Sequence, residues 1–222
     1  VFSRQAFERG TGIGTIVLQD LYQQYATKTN VDALGGAGTS GTHLGAFAIT
    51  NNVTSVAFSG TGAQQGLFIQ KVLKAIGLVN ERRYMPADLI VMHPRRWAWT
   101  IGGLDSSNRP LVDITGSGFN AFGAGDAAGY GFVGSIAGVP VLTDAGVSTA
   151  YATTTNEDRV LVTRRSDHYF WEQPGAPVGL TFEEVLGSNL QVQVVAYGFS
   201  AYTGERYPQA IATVTNGLSW LL

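Results

Sequence analysis

The sequence predicts an α+β protein, and three observations carry that reading. Residues 13–34 (IGTIVLQDLYQQYATKTNVDAL) run without proline and, past Gly14, without glycine, and Ile13, Val17, Leu21 and Tyr25 recur every four positions. That is the spacing of one apolar stripe on a helix. The remainder is punctuated by short apolar runs rich in β-branched residues, such as LIVM at 89–92 and the alternating stretch at 190–201. Glycine, 29 of 222 residues, separates these runs and marks turns between many short elements.

Each element has its own justification. The helix at 13–34 keeps Gln19, Gln23, Gln24 and Lys28 on its wet flank and meets a glycine cluster (Gly35, Gly36, Gly38), where helices stop. Twenty-odd residues make a rod of roughly 33 Å, long enough to carry the strand-rich remainder. Before it, Ser3 is placed to cap a short turn over residues 3–10. After it come a Gly/Ser/Thr loop at 35–45, a short strand at 46–49 and a connection at 51–62. A second helix at 64–76 should bury Leu67, Val72, Ala75 and Ile76. Residues 89–92 are apolar without alternation, which marks a strand covered on both faces. Pro94 suits the first turn of a helix, with Trp97 and Ile101 facing inward one turn apart.

Residues 105–110 read as a turn and 116–134 as a glycine-dense loop or hairpin tip. The run at 136–144 reads as one strand, placed at a sheet edge or a bulge by Pro140, which lacks a ladder donor. Strands follow at 159–163, 169–172 and 190–201. The last changes apolar phase after Val194, which predicts a bulge or a passage into new surroundings. Residues 208–215 make a final strand.

Composition narrows function. A chain that is 45% hydrophobic but only 14% charged buries much of its surface, in its own core or against neighbours. A net charge of −2 argues against a salt-sensitive nucleic-acid grip. The absence of cysteine removes disulfides and thiolate metal sites. No apolar run reaches the ~18 residues of a membrane span.

No catalytic constellation assembles. His43, His93 and His168 are isolated in sequence and read as polar or capping residues, not metal ligands. The glycine strings at 10–14 and 60–66 match a dinucleotide fingerprint only loosely, so no cofactor is expected. The carboxylate neighbours Glu157–Asp158 and Glu183–Glu184 read as solvated turns or helix starts. The arginine doublets Arg82–Arg83, Arg95–Arg96 and Arg164–Arg165 stand out in a charge-poor chain. They are the candidate subunit contacts, because a guanidinium forks a carboxylate with two hydrogen bonds.

Four segments taken in order resemble the major capsid protein of tailed bacteriophages, the Hong Kong 97-type capsid fold. They are SRQAFERG with the rod and its exit GTHLGAF; ADLIVMHPRRWAWTIGGLDSSNRPLV; IAGVPVLTD; and FEEVLGSNLQVQVVAYGFSAYTGERYPQAIATV. The resemblance implies a peripheral domain over residues 1–57, holding the spine helix at 13–34, and an axial domain over 58–165. The long strands of the peripheral domain would lie in 166–207, and a return strand in 208–222 would rejoin the axial domain. The tip around 123–131 would lie near a symmetry axis. It implies a structural, non-enzymatic protein whose partners are copies of itself, in hexamers and pentamers of an icosahedral shell. That shell would enclose double-stranded DNA without reading its sequence and would be assembled in the cytoplasm of the infected bacterium as part of the virion. Scaffold, portal and decoration proteins are further implied partners; a membrane is not.

The family carries an N-terminal arm and an extended loop before the spine helix. Here the rod begins near Val1, so those parts are expected to lie outside this sequence. Some relatives crosslink a lysine of that loop to a neighbouring asparagine. Lys28, Lys71 and Lys74 all read as helical, so a non-covalent shell is expected. The alternatives are an encapsulin-like cellular compartment of the same fold and a small monomeric binding or hydrolase domain.

Overall fold

A mixed six-stranded sheet, not the rod, holds the centre of the chain. In the computed structural model the described residues are 2–3, 12–58, 64–103, 132–151, 157–175, 179–186 and 191–215. Their elements in order are β1 (Phe2–Ser3), α1 (Ile13–Gly35), β2 (Thr54–Ala57), α2 (Gln65–Arg83), β3 (Leu89–Met92) and α3 (Pro94–Ile101). Then follow β4 (Phe132–Ile136), β5 (Val139–Thr143), β6 (Val160–Thr163), β7 (Tyr169–Glu172), β8 (Gly179–Leu186), β9 (Gln191–Tyr197), β10 (Ser200–Thr203) and β11 (Ile211–Thr215). The expected turn over residues 4–10, the turn at 105–110 and the tip around 123–131 lie outside the described residues.

The central sheet runs β2-β11-β6-β3-β5-β4, a three-stranded sheet runs β1-β9-β8, and β7 and β10 form a two-stranded ribbon. The centre of the large sheet reads as uninterrupted apolar sequence because both faces are covered. Ile90 and Met92 of β3, Val160 and Val162 of β6, and Ala212 and Val214 of β11 face one way. They pack on Phe68, Val72, Ala75 and Val79 of α2 and on Trp97 and Trp99 of α3. Val91 and Leu161, between them, and Ile211, just before Ala212, face a second cluster with Ala46, Phe47, Ile49, Val147 and, more loosely, Leu34 at the end of α1. Alternate residues of one strand thus feed two cores.

Several expectations need correction. The rod forms as read and extends one residue further, but it is no internal mast. Val17 is its one fully buried side chain among the described residues, and Ile16, Tyr22 and Val31 are 60%, 47% and 43% exposed. Residues 46–49 are a buried turn, not a strand. The N–H groups of Ala46 and Phe47 donate to the carbonyls of Ala33 and Leu34 at 3.0 and 2.9 Å, which closes the C-terminal end of α1. Gly45 makes that return possible: a Cβ there would stand 2.5 Å from the Gly35 nitrogen and 2.6 Å from the Gly36 nitrogen.

Residues 54–57, expected in a connection and assigned to the peripheral side, form the edge strand β2 of the central sheet, parallel to β11. Helix α2 passes through Gly77 to Arg83, and it buries Phe68 and Val79, whereas Leu67 and Ile76 are only partly buried. The run at 136–144 is a hairpin and not one strand, with its turn at Ala137 (φ 51°) and Gly138 (φ 78°). Pro140 sits on β5, which is not the edge, but one position ahead of Val141, where pairing with β3 begins. The bulge expected nearby is present between Phe132 and Gly134 on the partner strand. Glu183 and Glu184 lie in strand β8, opposite Gln193 and Val192, not in a turn or helix start. The phase change after Val194 precedes the passage of the chain from β9 into the ribbon: β9 ends at Tyr197 and β10 pairs with β7.

Candidate functional site

Among the described residues no group of three or more His, Cys, Asp or Glu side chains is placed to hold a metal ion. No helix among them is long and apolar enough to cross a membrane. The three histidines do local work. His93 caps α3, its Nδ1 accepting the Arg95 N–H at 3.1 Å. The Nε2 of His43 lies 3.2 Å from the Ser200 Oγ, and its Nδ1 is 3.9 Å from Asp32. His168, on the segment leading into β7 and not within a strand, sits between the hydroxyls of Thr163 and Tyr202. Burial holds the His93 and His168 imidazoles below their ordinary range.

Two of the arginine doublets split, one member turned in and one out. Arg96 is 1% exposed and fully buried Asp158 takes its guanidinium in a fork, with Nη2 to Oδ1 at 2.5 Å and Nε to Oδ2 at 3.1 Å. It also lies 4.7 Å over the Trp99 ring. Asp158, read as part of a solvated pair, is therefore an interior brace, and Arg96 is held inside the chain and not presented as a subunit contact. Arg83 reaches Asp167 at 2.9 and 3.2 Å and covers the Tyr207 ring at 4.0 Å. The partners of the doublets face outward: Arg82 is exposed and donates to Thr54 Oγ1 at 2.7 Å, and Arg95 is exposed on α3. Arg164 caps and Arg165 opens the short 3-10 turn Arg165–Asp167, and the Arg165 backbone N–H donates to Asp88 Oδ1 at 2.6 Å. The fold thus brings the first and third doublets to one end of α2, with Arg206 over Tyr207 at 5.3 Å, and leaves Arg95–Arg96 elsewhere.

The feature that charge and motif reading missed is aromatic. The β7–β10 ribbon places Phe170 opposite Tyr202 and Trp171 opposite Ala201, so its two faces carry different aromatics. Tyr169 and Trp171 stack on one face, centroids 5.7 Å apart at 13°. Phe170, Glu172 and Tyr202 turn toward α1 and, with Tyr22 and Tyr25, line an open, mostly apolar cleft of about 590 Å³. The Tyr25 hydroxyl bridges it to Glu172 Oε1 at 2.9 Å; burial and that carboxylate together push the phenol up. Gly198 passes directly under the same ring, where a Cβ would meet the Tyr25 oxygen. At the corner between β9 and β10, Tyr197 and Phe199 pack edge to face at 6.2 Å. Phe170, Trp171, Tyr197 and Phe199 are 44%, 56%, 44% and 66% exposed.

Four large apolar residues within thirty positions are open to solvent: Phe170 on one face of the ribbon, Trp171 on the other, and Tyr197 with Phe199 at the corner between β9 and β10. A two-stranded ribbon is also too small to hold itself together in water without support on a face. The signal was present in the Tyr-Phe-Trp run of β7: apolar residues at successive strand positions demand cover on both faces, and the intramolecular fold covers one.

No protein-family model and no curated protein matches the chain by sequence. Solved structures do match it in shape. The capsid of an empty GTA particle superposes over 96% of this chain and 70% of its own, with a TM-score of 0.65 at 13% identity. A chain from Gordonia phage Cozz gives 0.62 at 14% identity, over 96% and 67%. The holo-SrpI encapsulin complex from Synechococcus elongatus PCC 7942 gives 0.54 at 13%, over 97% and 70%. The fold is that of phage capsid chains.

Proposed function

We propose that this chain is a structural shell subunit, the major capsid protein of a tailed phage with the Hong Kong 97-type fold. Its copies close into hexamers and pentamers around double-stranded DNA. The capsid fold, matched across nearly the whole chain, carries the reading, and the exposed aromatics of the ribbon and its corner support it, because they are side chains that a neighbouring copy would cover. Repeated heterologous contacts that close a ring allow each contact to be modest. The exposed Arg82, Arg95 and Arg165, with the half-buried Arg164, are the polar subunit contacts proposed. The net charge of −2 suits a container that confines DNA without gripping it.

The division into lobes is proposed with one shift. The central sheet with α2 and α3 forms the axial domain, to which β2 and β11 belong. The outer length of α1, the ribbon and the β1-β9-β8 sheet form the peripheral one. Electron microscopy of particles purified with this subunit, with the nucleic acid they contain, is the test. Icosahedral shells holding double-stranded DNA are expected. Shells with a protein cargo and no DNA would move the assignment to an encapsulin-like compartment, and a stable monomer at all concentrations would overturn the shell reading.

A further inference from the structure

The ribbon is joined to the central sheet by a one-way chain of hydrogen bonds through His168. The Thr163 hydroxyl has a single proton and gives it to the Ala210 carbonyl at 3.0 Å. Its oxygen, 2.6 Å from His168 Nε2, must therefore accept from that nitrogen. With the ring proton on Nε2, the opposite nitrogen, Nδ1, is an acceptor, and the Tyr202 hydroxyl donates to it at 2.7 Å. The relay runs from β10, through the segment before β7, to β6 and the residue preceding β11. The Tyr202 ring also stacks on the imidazole at 6.0 Å and 13°. Gly204 closes the pocket: a Cβ there would lie 2.9 Å from Nδ1 and 3.1 Å from the Ile49 side chain.

We propose that His168 is an acid-sensitive latch that fastens the β7–β10 ribbon to the central sheet while its ring is neutral and releases it when the ring takes a second proton. A proton on Nδ1 meets the Tyr202 hydroxyl hydrogen head on, so that hydroxyl must turn its hydrogen away and offer a lone pair instead; the relay loses its single direction, and its midpoint becomes a charge whose two hydrogen-bond partners are neutral hydroxyls. The charged groups facing the ring are few. Asp167, on its own turn, is already held by Arg83, and Asp88, ahead of β3, takes the Arg165 N–H. Thr163, Tyr202, Ile49 and Gly204 bring no charge. Both carboxylates favour the protonated ring, but desolvation outweighs them and keeps it neutral. The sign follows: a histidine held below its unfolded value near 6.5 contributes its stability above that pH and loses it as pH falls through the lower, folded value.

Amide hydrogen exchange of residues 169–172 and 200–203, corrected for the intrinsic effect of pH, tests the latch. Protection in the wild-type protein should fall at least fivefold between pH 7.5 and pH 5.0. His168→Gln offers one amide donor and one acceptor at every pH and should show no such fall. Equal protection at both pH values in the wild type, or an equal fall in His168→Gln, would overturn the proposal. Nitrogen-15 NMR of the wild-type His168 ring keeps the test decisive should the variant not fold. The ring must be the Nε2–H tautomer at pH 7.5, with a midpoint below that of free histidine; the other tautomer, or a midpoint at or above it, would also overturn the latch.

Discussion

Replacing Asp158 by alanine strips a forked carboxylate from a guanidinium that is 1% exposed. A guanidinium is a permanent charge, and at 4.7 Å the Trp99 face is a weak substitute for an anion. Removing one partner of a buried pair costs about 3–5 kcal/mol, because the remaining charge stays in a poor solvent. Against a total stability of roughly 5–15 kcal/mol that is a large fraction, and in a chain of this size it lowers Tm by about 8–15 °C. Replacing both partners by apolar side chains, in Arg96→Met with Asp158→Leu, removes the stranded charge and should return most of the loss. Urea unfolding of the isolated chain, followed by far-UV circular dichroism, compares the wild type with both variants. If Asp158→Ala costs less than about 1 kcal/mol, or the double variant is less stable than Asp158→Ala, the pair is not the brace described here.

Other consequences can be read directly. Gly45→Ala drives a methyl group into the backbone of residues 34–36 and should cost on the order of 3 kcal/mol by the same denaturation assay. Gly134→Ala places a Cβ 2.7 Å from the Trp97 ring, so a near-UV circular dichroism change should accompany a loss of about 1–3 kcal/mol. Trp171→Ser and Phe199→Ser alter exposed side chains and should leave subunit stability within about 0.5 kcal/mol while reducing particle yield at least tenfold; unchanged yield would remove the ribbon from the proposed interface. Tyr151 has its phenol pushed up to about 12 by burial, so its share of stability is whole below pH 10 and is lost as pH rises toward 12. Tyr151→Phe should flatten that alkaline slope.

Local pattern made some elements legible and concealed others. The spacing of Val17, Leu21 and Tyr25 predicted α1, the unbroken LIVM predicted a doubly covered strand, and Pro94 predicted the start of α3; all three are decided within one turn or strand. What failed was settled at a distance. Gly77 looked like a stop, yet it lies on an open flank of α2 while Val79 beyond it is held by the sheet. Ala137 gives no hint of a left-handed turn; the hairpin requires it because β4 and β5 pair on either side. Arg95 and Arg96 are indistinguishable in sequence, and an aspartate 62 positions away decides which one is buried. The aromatics of β7 were read as strand formers, and their exposure could not be read, because apolar composition predicts burial without naming the chain that provides it.

The place of β11 has a bearing on when the fold can close. It is the latest strand among the described residues, yet it lies inside the sheet, parallel to β2 on one side and antiparallel to β6 on the other. Ser55 and Thr215, 160 residues apart along the chain, share a hydrogen bond across that seam at 2.8 Å. A growing chain that has emerged only to residue 205 leaves two strand edges facing an empty slot, with Phe68 and Val72 lacking part of their floor. Closing so long a loop is slow, and open edges before closure invite pairing with other chains. Until β11 pairs, the central sheet behind the ribbon is in two parts, so one late strand completes a core whose other strands are laid down far earlier in the chain.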